Sequence, residues 1–288
     1  MTSKALFAIS TLFVLIWSSG FIVGRMIVGV VSPNIFLGMR FLFASILFVG
    51  LAYFYKKSYP KLGDIGKHIL VGILCNGLYL GSSYWAISHG MPAGIMALLG
   101  GLQPLLTLII VSLAFGERFS IHALIGIIIG LFGVYLALPL SLDNSSYTPF
   151  VIIISVLSIL SITLGVIVQK YYIKGSLLLP SLAIQNIAGS VTAFILAWVL
   201  KENTVTLQFE LYFSLFWAVF VLSGAGIYLL FYLTQNSSSV KTTSLMLLCP
   251  PLAGIQAKLL FDENLTVVQM LGFVIALGGV ALCQRAKL

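Results

Sequence analysis

Long apolar segments, separated by short polar connections, run through almost the whole sequence. A bilayer core about 30 Å thick needs about 20 consecutive apolar residues for each spanning helix. Open strands would leave backbone groups unpaired in lipid, and the alternation typical of a membrane β-barrel is missing. The pattern therefore predicts an all-α integral membrane protein with ten transmembrane helices. We place the spans at residues 5–30, 34–55, 67–88, 93–115, 121–140, 149–172, 179–200, 211–234, 242–261 and 265–284.

The second half of the sequence repeats landmarks of the first half at a separation of 146 residues. An odd number of helices in each half would force the two copies into opposite orientations. We therefore expect two inverted five-helix repeats, at residues 1–140 and 149–288, joined by a polar linker at 141–148. Inverted repeats are typical of secondary transporters, whose substrate site lies where the repeats meet. The aligned pairs are Pro104 and Pro250, Phe115 and Phe261, Glu117 and Glu263, Gly126 and Gly272, and Gly133 and Gly279.

Composition and charge argue against a soluble protein and against nucleic acid as a partner. The chain is 60% hydrophobic and 8% charged, whereas soluble domains contain roughly 25% charged residues. The net charge of +8 comes from basic residues in short connections, not from one basic face. With the N-terminus inside, eleven of these residues lie on the cytoplasmic side and only Lys201 lies opposite. The positive-inside rule then places both termini in the cytoplasm, and the scarcity of sequence outside the membrane favours a bacterial inner membrane.

No motif for enzymatic or metal chemistry stands out. The phosphate-binding GxxxxGK[ST] pattern, HExxH and GxSxG are missing, so we expect no cofactor, no metal and no ATP hydrolysis. The cysteines lie singly in apolar segments, and the histidines lie near predicted helix ends, where we expect them to be solvated. None of the seven acids lies in the middle of a span, which leaves proton coupling, exchange and facilitated diffusion open.

Several of these landmarks together resemble a known family. They are the motif Trp17-Ser18-Ser19-Gly20-Phe21 in the first helix, Arg40 in the second, and Pro104 followed by Glu117 and Gly126. With the duplication, they resemble the drug/metabolite transporter superfamily, in its ten-helix EamA-like branch, over essentially the whole chain. The resemblance implies ATP-independent transport of small metabolites, often amino acids and related compounds. It also implies a central cavity lined mainly by the first, third and fourth helices of each half.

Uncharged polar and aromatic side chains within the spans are the candidates for substrate contact. Amides, hydroxyls and aromatic rings suit an amphipathic organic ligand better than a bare ion. The same residue types also bridge helices or form interfacial belts, so each has a structural alternative. The candidates are Trp17, Asn76, Tyr79, Tyr84, Trp85, Gln103, Gln169, Tyr228, Tyr232 and Gln256.

Charged residues near the helix ends are candidates for gates. An ion pair of Glu117 with Lys170 would close the inner side, and Glu263 with Arg25 would close the outer side. Lys258 competes in the outer cluster, because it has an acid four residues further along the same helix. The alternative is that these side chains only extend to the lipid headgroups.

Arg40 joins Arg25 and Lys258 in making the outer half of the bundle electropositive. Such a region would attract a carboxylate or phosphate of the substrate, which matches the fork of an arginine. The alternative for Arg40 is a structural role in bonding backbone carbonyls.

Two further patterns concern the shape and packing of the helices. Prolines at equivalent points of the fourth and ninth helices predict a pair of bends, either hinges or static kinks; they are Pro104, Pro250 and Pro251. Small residues in the fifth and tenth helices allow close backbone approach, within the chain or between two copies in a homodimer. They are Gly126, Gly130, Gly272 and Ala276.

Taken together, the sequence predicts a secondary transporter that moves a small organic metabolite across the inner membrane by alternating access. An amino acid or a related compound, moved outward, is the favoured cargo. One alternative is an intramembrane enzyme acting on a lipid or isoprenoid, which would need a polar catalytic set at mid-membrane. Another is a channel or a subunit of a larger complex, and a channel would need a ring of like residues around a pore.

Overall fold

The computed structural model describes residues 3–27, 29–91, 96, 99–116, 120–137, 148–173, 178–261 and 266–285. In these ranges the regular secondary structure is helical, apart from one isolated antiparallel bridge between Val31 and Val205. The helices are α1 (Ser3–Met26), α2 (Pro33–Phe54), α3 (Leu62–Ser88), α4 (Gln103–Phe115), α5 (Ile121–Ala137), α6 (Pro149–Tyr172), α7 (Leu178–Val199), α8 (Phe209–Asn236), α9 (residues 239–261) and α10 (Val267–Arg285).

Six helices are long and apolar enough to cross a membrane: α1, α2, α3, α6, α7 and α8. Shorter apolar helices fall in other predicted spans, at Leu99–Phe115, Ile121–Leu136 and Val267–Cys283. Large apolar side chains also cover the outside of the bundle, as lipid allows and water does not. The described part of the chain is therefore that of an all-helical, multi-pass membrane protein. The count of ten spans and the inverted arrangement stay predictions.

Two long helices contain a π-helical segment at corresponding positions. The segments are Ile73–Leu78 in α3 and Trp217–Gly226 in α8. At the repeat separation of 146 residues, the first segment maps onto 219–224, inside the second. Segments of this kind are rare and often lie at functional sites. The structure thus relates two helices whose sequences match only weakly.

The helical segments at α4 and α9 are both interrupted just before the prolines for which the sequence predicts bends. A turn at Leu102 precedes α4, which has Pro104 in its first turn. The 3-10 segment Leu245–Leu248 precedes Pro250 and Pro251 in α9. Proline is tolerated in the first turn of a helix because it lacks the amide hydrogen that later positions need. Both interruptions lie where the sequence predicts bends, while their use as hinges stays a prediction.

Glycines bring α5 and α10 into backbone contact. A Cβ atom added at Gly133 would lie 2.3 Å from the backbone nitrogen of Ala276, and one added at Gly279 would lie 2.3 Å from that of Gly130. A Cβ at Gly126 would lie 2.7 Å from the carbonyl oxygen of Gly279. The small-residue faces of these equivalent helices therefore pack against each other within the chain. A homodimer through the same two helices stays a prediction.

The first helix ends at Met26 and not near residue 30, because the chain beyond it pairs with the α7–α8 connection. Gly29 has a φ angle of +76°, which residues with a Cβ rarely adopt. The Ser32 amide then donates to the carbonyl oxygen of Thr204 at 2.9 Å. Two loops that are far apart in sequence are thereby joined at the start of α2.

Glu202 strengthens this junction. Its Oε2 accepts the backbone amide of Asn34 at 2.8 Å, and its Oε1 accepts the Asn34 side-chain amide at 2.7 Å. The first amides of a helix have no partner within the helix, so a carboxylate at this position satisfies a free donor and complements the helix dipole. We call the contacts of Ser32–Thr204 and Asn34–Glu202 the loop clasp.

Candidate substrate site

Two serines in the motif of α1 hold this helix against the second half of the chain. Ser18 Oγ accepts a hydrogen bond from Gln256 Nε2 of α9 at 3.0 Å. Ser19 Oγ accepts one from Trp217 Nε1 at 2.8 Å, at the start of the π segment of α8. Trp17, which precedes the two serines, is half-buried, and its ring centroid lies 5.3 Å from that of Phe13 on the same helix. The polar face of α1 is therefore a junction between the two halves.

Arg40 lies inside α2, where its guanidinium meets α3 and α8. Its Nε donates to Ser223 Oγ in the π segment of α8 at 2.8 Å. The guanidinium lies 5.3 Å from the centroid of the Phe41 ring. Tyr79 and Tyr84, which follow the π segment of α3, lie near it. Arg40 is 5% exposed, so elements next to both π segments surround one buried cation.

The two tyrosines beside Arg40 are not fully closed off. Tyr79 and Tyr84 lie deep in the bundle, yet both side chains keep part of their surface accessible. The hydroxyl of Tyr84 donates to the backbone carbonyl of Gly20 at 3.4 Å. Its ring lies 3.6 Å from the position of a Cβ at Gly24. Tyr84 therefore packs against α1 next to these two glycines.

Two of the predicted contact residues form part of a buried amide network. Asn76 Nδ2 donates to the Gln185 carbonyl at 3.3 Å, and Gln185 Nε2 donates to Gln169 Oε1 at 2.9 Å. All three side chains are closed off, at 2% exposure or less. In this conformation they bridge α3, α6 and α7. Gln103 is buried too, and its Nε2 has no hydrogen-bond partner in the described ranges. Substrate contact by these amides stays a prediction.

The remaining aromatic candidates form two separate stacks. Trp85 stacks on His89 with ring centroids 4.0 Å apart and meets Phe150 edge-on at 5.9 Å. Tyr228 and Tyr232 stack on each other along α8, after its π segment, at 6.3 Å. The structure therefore distributes the predicted contact residues over several places.

Most of the side chains in the predicted gates are not among those that the structure describes. This holds for Arg25, Glu117, Lys258 and Glu263, so both ion pairs stay predictions. Lys170 is described, and its Nζ donates to the backbone carbonyl of Ser237 between α8 and α9. The contact ties the end of α6 to that connection.

One expectation about the histidines is wrong. His68 is 1% exposed and not solvated, because α3 begins at Leu62 and places His68 inside the helix. His89 and His122 are exposed as expected. Across the described ranges, no group of three or more His, Cys, Asp or Glu side chains is placed to hold a metal ion.

Several residues that organise the site carry little signal in the sequence. Serine is common in membrane helices, where it bonds backbone carbonyls of its own helix, so one serine in an apolar span indicates little. A buried amide or indole has the same ambiguity. Ser18 and Ser19 enter the sequence analysis only as part of the α1 motif, and Gln185, Trp217 and Ser223 have no predicted role there.

The sequence matches the profile of the EamA-like transporter family twice, over residues 4–138 and 149–284. The chain belongs to the EamA-like transporter family. Membership indicates a membrane transporter rather than an enzyme. The two matched ranges also agree with the internal repeat.

Three relatives of this EamA-like transporter match it over most of their length. A probable amino-acid metabolite efflux pump of Escherichia coli (strain K12) is 25% identical over 283 residues, which are 94% of this chain and 92% of the relative. The protein of the same description in Salmonella typhimurium is also 25% identical over 283 residues. The uncharacterized transporter YdfC of Bacillus subtilis is 23% identical over 275 residues, 94% of this chain and 88% of that protein. A solved crystal structure superposes with a TM-score of 0.82 over 98% of each chain, at 14% identity, and therefore has the same fold.

Proposed function

We propose that this EamA-like protein is a secondary transporter that exports an amino acid or a related small metabolite across the inner membrane by alternating access. The observation that carries the proposal is the full-length relation to an amino-acid metabolite efflux pump, which covers 92% of that protein. The cargo named for the relative is here a hypothesis for this chain, since the two are 25% identical.

The interrupted helices support a transport mechanism of this kind. Secondary transporters place their substrate sites where discontinuous helices of two repeats meet. Here α3 and α8 carry π segments, and the runs at α4 and α9 break before prolines. We propose ten spans in two inverted halves, at 1–140 and 149–288 with a linker at 141–148, and both termini in the cytoplasm.

The proposed substrate passage lies between α1, α2, α3 and α8, beside the accessible faces of Tyr79 and Tyr84. The bends at Pro104 and Pro250 would let each half open and close. We further propose that the pair of Lys170 with Glu117 closes the inner side. The equivalent outer pair would be Arg25 with Glu263.

Counterflow in proteoliposomes tests the proposal. Purified protein is reconstituted into vesicles that contain one unlabelled amino acid, and the uptake of the same labelled compound is followed against protein-free vesicles. We expect transient accumulation for at least one amino acid, because an alternating-access carrier exchanges its substrate without ATP. Tyr79→Ala should reduce the exchange at least about tenfold, since loss of an aromatic wall costs on the order of 1–2 kcal/mol or more.

Arg285→Gln is the matched control for this experiment. Arg285 lies exposed in the last turn of α10, so its replacement should leave counterflow unchanged. If no amino acid accumulates above protein-free vesicles while the protein remains folded, the proposed cargo is wrong.

A further inference from the structure

Arg40 is a buried cation for which the described part of the chain provides no carboxylate partner. Glu202, on the loop clasp, uses both of its oxygens on Asn34. Asp64 is paired with Lys67 at 2.7 Å in the first turns of α3. Of the remaining acids, Glu210 is exposed in the first turn of α8, and the other four lie outside the described residues; they are Glu117, Asp143, Asp262 and Glu263.

The protein partners of Arg40 occupy only part of its guanidinium. Ser223 takes the Nε hydrogen. The two Nη groups form no hydrogen bond within the described ranges, and neither is among the fully buried unpaired atoms. The small accessible part of this side chain therefore lies near the partly accessible Tyr79 and Tyr84.

A lone charge in this environment is costly. Arg40 lies seven residues into α2, roughly 10 Å along the helix from its start at 1.5 Å per residue. An ionised group inside the bilayer costs several kcal/mol unless it is paired or reaches water. A cation held in place without a counter-ion is a site at which an anion gains both a charge partner and hydrogen bonds.

We propose that Arg40 is the anion-binding residue of the transport site and that it receives the carboxylate of the substrate on its two Nη groups. Resting on the proposed transporter function, this inference narrows the substrate class to small monocarboxylates, with 2-amino acids among them. Two parallel N–H···O bonds are the geometry in which arginine binds a carboxylate most strongly.

The neighbours of Arg40 fit this role. Ser223 fixes the guanidinium by its Nε edge and leaves the opposite edge free for the ligand. The phenol groups of Tyr79 and Tyr84 are neutral hydrogen-bonding groups, which bind a carboxylate without repelling it. Because Ser223 lies in the π segment of α8 and Tyr79 follows that of α3, binding of an anion would connect the two halves through one residue.

A purely structural Arg40 would behave differently. It would stabilise the packing of α2 against α8, and its removal would lower the melting temperature without changing which ligands bind. If Arg40 binds the substrate carboxylate, ligands with a carboxylate should bind more tightly than ligands in which this group is replaced by a neutral one. The two roles are separated by comparing ligands that differ only at the carboxyl group.

The experiment measures thermal stabilisation of the detergent-purified protein, since a ligand that binds the native state raises its melting temperature. The probes are L-serine, L-leucine and L-phenylalanine, the three corresponding carboxamides, and the three corresponding 2-oxo acids. The variants are Arg40→Gln, Arg40→Lys and Ser223→Ala, with Arg285→Gln as the matched charge control.

We expect at least one carboxylate to stabilise the wild type and the Arg285→Gln variant, and its carboxamide to have no effect. Arg40→Gln should weaken carboxylate binding at least about tenfold, because bonds to a charged group are lost. Arg40→Lys should keep a weaker response, since it has the charge without the fork. If Arg40→Gln does not fold, the carboxylate–carboxamide comparison and the other two variants still decide the question.

The remaining outcomes distinguish between failure of the anion site and failure of the amino-acid cargo. Equal stabilisation by amino acids and carboxamides, or an unchanged response of Arg40→Gln, removes the anion site and leaves the transporter function standing. Stabilisation by 2-oxo acids but not by amino acids, dependent on Arg40, keeps the anion site and removes the amino-acid cargo. Silence of all nine compounds on the wild type overturns the anion site.

Discussion

The contact between α5 and α10 makes a quantitative prediction about Gly133→Ala. The added Cβ would lie 2.3 Å from the backbone nitrogen of Ala276, whereas ordinary contacts begin at 3.4 Å. The obstacle is backbone, so the side chain has no neighbour that can rotate away. The helices must separate locally by about 1 Å, and a gap of that size forfeits a quarter to a half of the dispersion energy of the atoms concerned.

Gly278→Ala is the matched control, because Gly278 lies on the exposed face of α10 with nothing within 4 Å of its added Cβ. Both substitutions gain the higher helix propensity of alanine, about 1 kcal/mol, and this gain cancels in the comparison. Overpacking costs about 1–3 kcal/mol. We therefore expect Gly133→Ala to be less stable than Gly278→Ala by about 1–3 kcal/mol.

Thermal unfolding in detergent, followed with a thiol-reactive fluorogenic dye, provides the assay. Cys75, Cys249 and Cys283 are free and buried, so they react when the protein unfolds. Gly133→Ala should melt at a lower temperature than Gly278→Ala, and Gly278→Ala should melt at the temperature of the wild type or higher. Equal melting temperatures for the two variants would refute the close approach of α5 and α10.

Two further predictions concern hydrogen bonds between distant segments. Glu202→Gln removes a charge-assisted bond to Asn34 from the loop clasp, so it should destabilise the protein by about 1–2 kcal/mol. The same dye assay compares this variant with Glu210→Gln, which replaces an exposed acid and should cost less than about 1 kcal/mol. Equal effects of the two substitutions would contradict the loop clasp. Trp217→Phe removes the bond to Ser19 while keeping an aromatic ring, so it should lower the stability by about 1 kcal/mol. Adding Ser19→Ala to this variant should then lower the stability little further. Full additivity in this double-mutant cycle would show that the two side chains do not interact.

The repeat illustrates how far sequence reasoning reaches. The 146-residue separation was visible in α4, α5, α9 and α10, where prolines and glycines recur because the backbone needs them. It was hardly visible in α3 and α8, although both contain π segments at equivalent positions. A π segment imposes a backbone geometry that many side chains can adopt, so it leaves no residue signature.

The candidate site shows the same division. Arg40 was singled out because a cation within an apolar span is rare and expensive, so residue type alone marks it. Asn76 and Gln169 are candidates because uncharged amides suit an organic ligand, yet the structure joins them through Gln185 in a closed network. Polarity within a span marks a residue that needs a partner, but it does not distinguish a neighbouring helix from a substrate.

The sequence by itself determined that the protein lies in lipid, that it is helical, and where most of its helices lie. Lipid imposes length and apolarity on each segment separately. Those conditions are local and can be read one segment at a time. Only the tertiary structure decided which polar groups meet: Arg40 with Ser223 across 183 residues, and Ser18 with Gln256 across 238. These pairings depend on how each helix is rotated and shifted against its neighbours, and no single segment encodes that arrangement.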